Sequence, residues 1–568
     1  MKTAVITVIA FVCGLEILSI FCRPTSLSFR WYGNVFAAAP IPAAPAGPAG
    51  EGERLFVERC AICHQPTGTG VPPIYPPLAG SDWLAANRER AIKALCEGLS
   101  EAIEVNGQKY LNTMPAQMLD DAQAAAVLTY VGASWGNKLR PFEAAEVAKV
   151  RKTSNFKTYA ELTKASAYQP LPKAPDGWTV KEVAQLPEFC TRFAGNGKGD
   201  IYVIAGKGNV YRLDPAAGAV ELRIKALDYL EPERGDPGTL GLLQDAEGRL
   251  WMVCNRQLKD ETPIINEITI YRTDKPATEA DAKPQLWFRT RYPYGIGPYN
   301  HGVSNLAFGP DGMLYVASGS RTDGGEPGKN PQFYQGGEVE ITACLWRLDP
   351  KAKEPKIEVY ARGLRNVYGF AWDGDGRLFT VANGPDANVP EEMDAILPGH
   401  HYGFPYQFSN IPVKPGFPYP HTPVAPAGVE FTMPVINLGP AGGGTPQGLS
   451  TLEGHSSPAG MVWCGNDFPA PFRGGFFVSR FGNLIGAPAV PDDVGFDVLW
   501  MKLQQRPDQL WEAQTEQVFS RLGRPIDIIR SGPGAIWILE YTRSTSFKEK
   551  LGWLPGRVLE LWANGTGQ

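Results

Sequence analysis

The chain has 568 residues and a formal net charge of −5, so it exceeds what one hydrophobic core usually serves and presents no basic field for nucleic acid. Two or more domains are expected, each able to bury a sizeable interior. With 63 Gly, 51 Pro and 11% aromatic residues, and few long helical patterns, the bulk reads as short strands joined by turns.

Lys2 precedes the apolar run Ala4 to Leu15, which has the charged start and short apolar stretch of a secretory signal. Glu16 interrupts the run before it reaches the length of a spanning helix. Ala37-Ala38-Ala39 suits a signal peptidase, although Pro40 follows it. Residues 1–39 are therefore expected to be a signal peptide or N-terminal anchor. The expected location is periplasmic, with membrane contact only through an uncleaved leader. Pro, Ala and Gly dominate residues 40–50, which read as a linker.

Cys60-Ala61-Ile62-Cys63-His64 follows. Two thiols two residues apart can form two thioethers to a haem, and the next imidazole can lie under its iron, so this reads as a c-type haem attachment site. The competing reading is a metal site or a redox thiol pair. Asn112-Thr113-Met114-Pro115 offers a thioether on a polar loop. Met118 falls at the start of the next helix, which makes Met114 the expected distal ligand. Residues 51–137 are expected to form a small all-α domain. Leu55 and Phe56 lie one turn before Cys60, where a first helix can bury them. A last helix starts at Asp120-Asp121, carries Ala124, Val127, Leu128, Val131 and Trp135 at helical spacing, and stops at Gly136-Asn137.

Those residues, with Val71-Pro72-Pro73, Pro76-Pro77-Leu78-Ala79-Gly80 and Thr129-Tyr130-Val131, resemble class I cytochromes c, specifically those serving bacterial dehydrogenases. The resemblance implies one covalent haem c with His64 and Met114 as axial ligands and a relatively high potential, suited to taking electrons from a donor enzyme. A polar stretch, 138–176, reads as a connector that packs partly on a domain surface.

From residue 177 to about 565 a short motif recurs, a Gly/Asp turn followed by an aliphatic-aromatic pair. It stands at Asp200-Ile201-Tyr202, Gly248-Arg249-Leu250-Trp251, Gly312-Met313-Leu314-Tyr315, Gly376-Arg377-Leu378-Phe379, Gly474-Gly475-Phe476-Phe477 and Gly534-Ala535-Ile536-Trp537. Companion strands follow at 210–214, 270–274, 345–349 and 558–561. Each unit is a small antiparallel sheet that cannot bury its own faces, so the units must stack radially. The expected fold is a six-bladed all-β propeller behind the all-α domain, closed by the C-terminal strand.

Loops around a propeller funnel are where a site's polar groups concentrate. His301, one of six histidines in the chain, lies on a Gly-flanked loop before the third repeat and is the candidate base. Gly363-Leu364-Arg365-Asn366 precedes the fourth repeat and offers a fixed positive charge beside an amide. Asn383-Gly384-Pro385-Asp386 follows that repeat and leaves main-chain oxygens for a hard cation.

These segments, with Phe308-Gly309-Pro310-Asp311-Gly312, Glu392, Tyr402-Gly403-Phe404-Pro405 and His455-Ser456-Ser457-Pro458-Ala459-Gly460-Met461, resemble the soluble aldose (glucose/sorbosone) dehydrogenases that use pyrroloquinoline quinone, PQQ. The resemblance implies PQQ at the funnel mouth and Ca²⁺ against it on the carbonyls of Gly384 and Pro385. His301 would take the substrate hydroxyl proton, Arg365 would stabilise negative charge on the cofactor oxygen, and Asn366 would bond the neighbouring carbonyl. Arg480 and Arg524, and more weakly Arg521, stand where the family has basic groups for the PQQ carboxylates. The second-blade loop, Asp236 to Leu242, offers no equivalent of the family's glutamine, and Asn300 stands where some members have an acid.

The expected activity is therefore oxidation of an aldose, or a related alcohol or aldehyde, with electrons leaving through the fused haem to an external acceptor such as a cytochrome. Three alternatives stand beside it. One is a cytochrome cd1 type of reductase, against which six repeats and the Arg365-Asn366 pair count. The second is an eight-bladed quinoprotein alcohol dehydrogenase, which usually carries adjacent cysteines and a C-terminal cytochrome, neither of which holds here. The third is a non-catalytic electron carrier whose propeller docks a partner. Of nine cysteines, Cys13 and Cys22 lie in the leader. Cys96, Cys190, Cys254, Cys344 and Cys464 read as mostly buried thiols with at most a couple of bridges. The stretch 400–455, with His400, His401 and His421, carries no motif that can be interpreted, and those histidines read as structural or surface.

Overall fold

The computed structural model describes residues 48–153 and 170–564, apart from 71, 73–74, 100–102, 111–113, 115–116, 118, 196–199, 232–233, 235–236, 296–299, 327–331, 388, 412, 415, 438–443, 446–447, 450–451, 484–493 and 543–554. The expected leader, the linker up to residue 47 and most of the connector lie outside them. Among the described residues no helix is long and apolar enough to cross a membrane, and no two cysteines form a disulfide. The described residues divide into two compact units, one within 48–153 and one within 170–564.

The first unit holds helices α1 (Pro48–Arg59), α2 (Ala61–His64), α3 (Asp82–Ala86), α4 (Arg88–Glu97), α5 (Asp121–Ala133) and α6 (Ala144–Thr153). Asp120 caps α5 as expected, accepting from Gln123 N–H while the Gln123 side chain returns to the Asp120 N–H. Leu55 and Phe56 are buried, and the Phe56 ring packs 5.5 Å from Tyr130 and 4.9 Å from Trp135. Helix α6 lies in the stretch read as connector. It belongs to this unit by its buried Val147 and by the Arg88–Glu146 (2.7 Å) and Arg151–Asp121 (2.6 Å) ion pairs.

Where α1 meets α5, a side chain at Gly52 would put its Cβ 2.2 Å from the Ala126 carbonyl and 2.9 Å from Tyr130 Cβ. Backbone cannot move aside cheaply at such a crossing, so Gly52→Val is expected to lower the thermal midpoint of this unit by several degrees, followed by circular dichroism. An unchanged midpoint would contradict the packing.

The second unit is a six-bladed propeller. Its first strands, Cys190–Gly195, Pro237–Gln244, Val303–Phe308, Val367–Trp372, Pro458–Cys464 and Pro525–Gly532, contact one another in a closed ring and so line the axis. The six motifs in the sequence fall on the second strands, Ile201–Ala205, Leu250–Leu258, Leu314–Ser318, Leu378–Ala382, Gly475–Arg480 and Ala535–Glu540. These are visible because the turn before several of them repeats one device. The Asp245 carboxylate holds the N–H groups of Glu247 (3.1 Å) and Arg249 (2.8 Å), and Asp373 does the same for Asp375 and Arg377 (both 2.9 Å). Gly248 and Gly376 take φ of +81° and +78° there, a region glycine enters without steric cost.

Ring closure differs from the expectation in one respect. The C-terminal strand Arg557–Ala563 is the third strand of the sixth blade, and Trp178–Gln185, the propeller's first strand in the chain, pairs with it as the fourth. Among the described residues the fourth blade has three strands.

Arg192 staples the axis. It is buried, and its guanidinium donates to the carbonyls of Leu240 (3.3 Å), Ser304 (3.1 Å) and Tyr368 (3.0 Å) and to the Asp527 carboxylate (3.1 Å). One side chain of the first blade thus bonds the second, third, fourth and sixth.

Candidate functional site

In the helical unit one turn delivers three groups. The N–H groups of Cys63 and His64 both donate to the Cys60 carbonyl (3.1 and 2.9 Å). His64 is buried, and its Nδ1 lies 3.0 Å from the Pro76 carbonyl. A carbonyl only accepts, so Nδ1 carries the proton and Nε2 keeps the lone pair a metal would take. Burial holds the His64 imidazole below its ordinary value, which keeps it neutral. Burial and the neighbouring Cys63 push the Cys60 thiol up to about 12, whereas a redox dithiol needs a lowered thiol. Met114 is half-buried, and its main chain pairs in both directions with Leu99 (2.8 Å each). Asn112, Thr113, Pro115 and Met118 lie outside the described residues.

In the propeller the first strands start, and the second strands end, at one rim, and His301, Arg365, Asn366, Gly384, Pro385, Arg480 and Arg524 all stand on that rim. Hydrogen bonds connect residues far apart in sequence. His301 N–H donates to the Ser320 carbonyl (3.0 Å), Ser320 N–H to the Arg365 carbonyl (2.7 Å) and Asn383 N–H to the Asn366 carbonyl (3.0 Å). A Cβ at Gly319 would lie 2.5 Å from His301 Cβ and 3.4 Å from Asn366 Oδ1, so the missing side chain leaves room for the His301 and Asn366 side chains to approach.

Arg365 is buried and held by two loops, mainly the one carrying Asp323. Its Nη2 lies 2.6 Å from Asp323 Oδ1, its Nε 2.9 Å from the Asp323 carbonyl and its Nη1 3.2 Å from the Asn383 carbonyl. Asp323 also accepts from Asp386 N–H (3.0 Å) and from the Tyr419 hydroxyl. Burial and the Arg365 charge lower His301 to about 3, so the ring is neutral over the whole physiological range.

The remaining arginines separate. Arg480 is buried and already matched, with Nε and Nη2 at 2.7 and 2.5 Å from the two Asp497 oxygens and Nη1 at 3.0 Å from Glu453. As a cation for an incoming carboxylate it would first have to leave Asp497. Arg521 is exposed, with φ of +59°, and is placed as a surface charge. Arg524 is buried between the rings of Phe481 (4.9 Å) and Phe496 (4.7 Å) and donates to the carbonyls of Gly482 and Asn483.

Comparison with known proteins agrees with this division. The family model "Glucose / Sorbosone dehydrogenase" matches residues 199–475, and "Cytochrome c" matches 49–135. The chain joins a cytochrome c domain to a glucose/sorbosone dehydrogenase domain. Cytochrome c-552 of Thermus thermophilus is 40% identical over 111 residues, 18% of this chain and 84% of that protein. The cytochrome c subunit of the alcohol dehydrogenase (quinone) of Gluconobacter oxydans is 28% identical over 140 residues, covering 23% of this chain and 29% of that one. The solved PQQ-bound aldose sugar dehydrogenase of Streptomyces coelicolor overlays on 69% of this chain and 99% of its own at a TM-score of 0.46 and 20% identity.

The cytochrome c domain implies a haem c, and the glucose/sorbosone dehydrogenase match supports an oxidoreductase of the glucose dehydrogenase family. Sequence reasoning missed several groups on the dehydrogenase rim. Ser320 and Asp323 directly follow the third blade's second strand, as Asn383-Gly384-Pro385 follows the fourth's, and that shared position was the signal. Tyr419 gave none, because it sits in the Pro- and Gly-rich stretch 400–455. Asn300 proves structural, its Oδ1 accepting from Gly295 N–H (3.0 Å). Glu391, pushed up to about 7 by burial, accepts from Ser456 Oγ and Ser457 N–H and ties the fourth blade to the loop before the fifth.

Proposed function

We propose that this protein is an exported quinohaemoprotein that oxidises an aldose, or a related alcohol or aldehyde, at the propeller rim, and passes the electrons through its own haem c to an external acceptor. The observation that carries the reading is the pairing of a neutral buried imidazole, His301, with a buried guanidinium, Arg365, through the single residue Ser320. A neutral imidazole can accept a hydroxyl proton, and a fixed cation beside it can stabilise negative charge that develops on an oxygen.

The residues present fit PQQ at the quinone end. Asn366 Oδ1 is buried with no hydrogen-bond partner among the described residues, and rotation of the amide turns either its acceptor or its donor toward a ligand. Among the described residues no hydrogen bond ends on the carbonyls of Gly384 or Pro385, the donor type a Ca²⁺ ion takes. Arg365, Asn366 and Arg524 would hold the cofactor, and Gly384 and Pro385 the cation. Bound there, PQQ supplies a two-electron acceptor for hydride. His301 binds the substrate hydroxyl and removes its proton at Nε2. Arg365 keeps its orientation through Asp323. Holding both domains on one chain keeps donor and haem at high effective concentration.

The test is to add PQQ and Ca²⁺ to the haem-loaded protein and assay a panel of aldoses and alcohols with an artificial dye acceptor. Dye reduction that needs both PQQ and substrate is expected. No reduction with any substrate would leave an electron carrier with a docking propeller.

A further inference from the structure

Behind His301 lies a segment that none of the sequence expectations included, Ser320-Arg321-Thr322-Asp323. Ser320 is fully buried. His301 Nδ1 lies 3.0 Å from Ser320 Oγ and 3.2 Å from the Ser320 carbonyl, and Ser320 Oγ lies 2.8 Å from the Thr322 carbonyl. The carbonyls can only accept, so the serine proton goes to Thr322 and the serine oxygen accepts from the ring. Nδ1 is thereby the protonated nitrogen and Nε2 the basic one.

The segment is itself anchored. Half-buried Glu338 accepts from Arg321 N–H (3.0 Å), from the Thr322 hydroxyl and from the Thr342 hydroxyl (2.7 Å). The charged groups that face the imidazole are Arg365, on the loop before the fourth blade, Asp323, on the same segment, and Glu338, on the loop before the third strand of the blade. The side-chain partner at Nδ1 is a neutral hydroxyl.

We propose that Ser320 is the positioning residue of the base: a neutral relay ending on the Thr322 carbonyl fixes the His301 tautomer and leaves the ring's charge unsupported at Nδ1, which sets the pH range of the reaction. The proposal rests on the reading of His301 as the base. A carboxylate at this position would favour the imidazolium; a hydroxyl that gives its proton away does so far less.

Full-length protein loaded with haem, PQQ and Ca²⁺ tests it through kcat, KM and the pH profile with an aldose and a dye acceptor. In S320A, kcat falls about 10-fold, the worth of one neutral hydrogen bond, while KM stays within about 2-fold because substrate contacts are untouched. S320T, which keeps a hydroxyl, recovers most of kcat. S320D moves the acid limb of kcat/KM upward by about one pH unit or more. Wild-type kcat in S320A, or an unmoved acid limb in S320D, overturns the proposal; if S320D does not fold, the S320A and S320T pair decides alone. H301Q separates the two readings. Wild-type activity in H301Q removes the base itself, whereas a dead H301Q beside a fully active S320A removes only the role of Ser320.

Discussion

Replacing His301 by glutamine is expected to lower kcat/KM by about 10² to 10⁴, the range a positioned general base contributes, while the haem is still reduced normally by a chemical reductant. The imidazole sits at the start of the third blade's first strand, is almost fully buried, and is lowered to about 3 by burial and by Arg365. As the proposed base its active form is the neutral ring, which is populated above its own pKa. In the wild type, kcat/KM should therefore stay level as pH falls through the ordinary imidazole value of about 6.5 and decline only in more acidic solution. A limb at or above that value would contradict the burial argument. The sign for stability follows from the same depression. The unfolded imidazole takes up a proton near 6.5 and the folded one does not, so the contribution is present above that pH and is lost as pH falls toward 3. H301Q should flatten that dependence in acid unfolding measurements.

The second large effect is on the scaffold. Arg192→Leu is expected to destabilise the propeller by about 3 to 5 kcal/mol, because it leaves the Asp527 carboxylate buried without its partner. It also removes the donors to the Leu240, Ser304 and Tyr368 carbonyls and the cation packed 4.0 Å over the Tyr368 ring. Asp527 keeps its bonds from the Phe193 N–H at 2.8 Å and from the Ile528 N–H. The double variant R192L/D527L should recover part of the loss, since removing both charges removes the desolvation problem. Denaturant unfolding followed by circular dichroism reads both; a single variant within about 1 kcal/mol of wild type would show that the staple is dispensable.

Much of this architecture was legible because it repeats. The turn of Asp245 to Gly248 and the turn of Asp373 to Gly376 use the same kind of carboxylate and the same left-handed glycine, so the strands that follow them carry the same local signature. The haem site was legible for a different reason: covalent attachment demands a fixed local spacing, and Cys60, Cys63 and His64 satisfy it within one turn. His301 and Arg365-Asn366 stood out as polar groups just before motif strands.

What stayed hidden depends on partners distant in sequence. That Arg480 faces Asp497 and that Tyr419 reaches Asp323 across 96 positions leaves no local pattern. Helix α6 was read as connector because its short apolar face, Val147 and Val150, carries little periodic signal. Its place is set by Arg88 and Asp121, which lie on other helices.

The most direct measurement is the haem spectrum of the oxidised, PQQ- and Ca²⁺-loaded protein after anaerobic addition of an aldose, with no dye and no external acceptor. Conversion to the reduced spectrum in the wild type, and none in H301Q, is the predicted result. A haem that stays oxidised with every sugar and alcohol tried, yet is reduced at once by dithionite, would contradict the claim that the propeller feeds it.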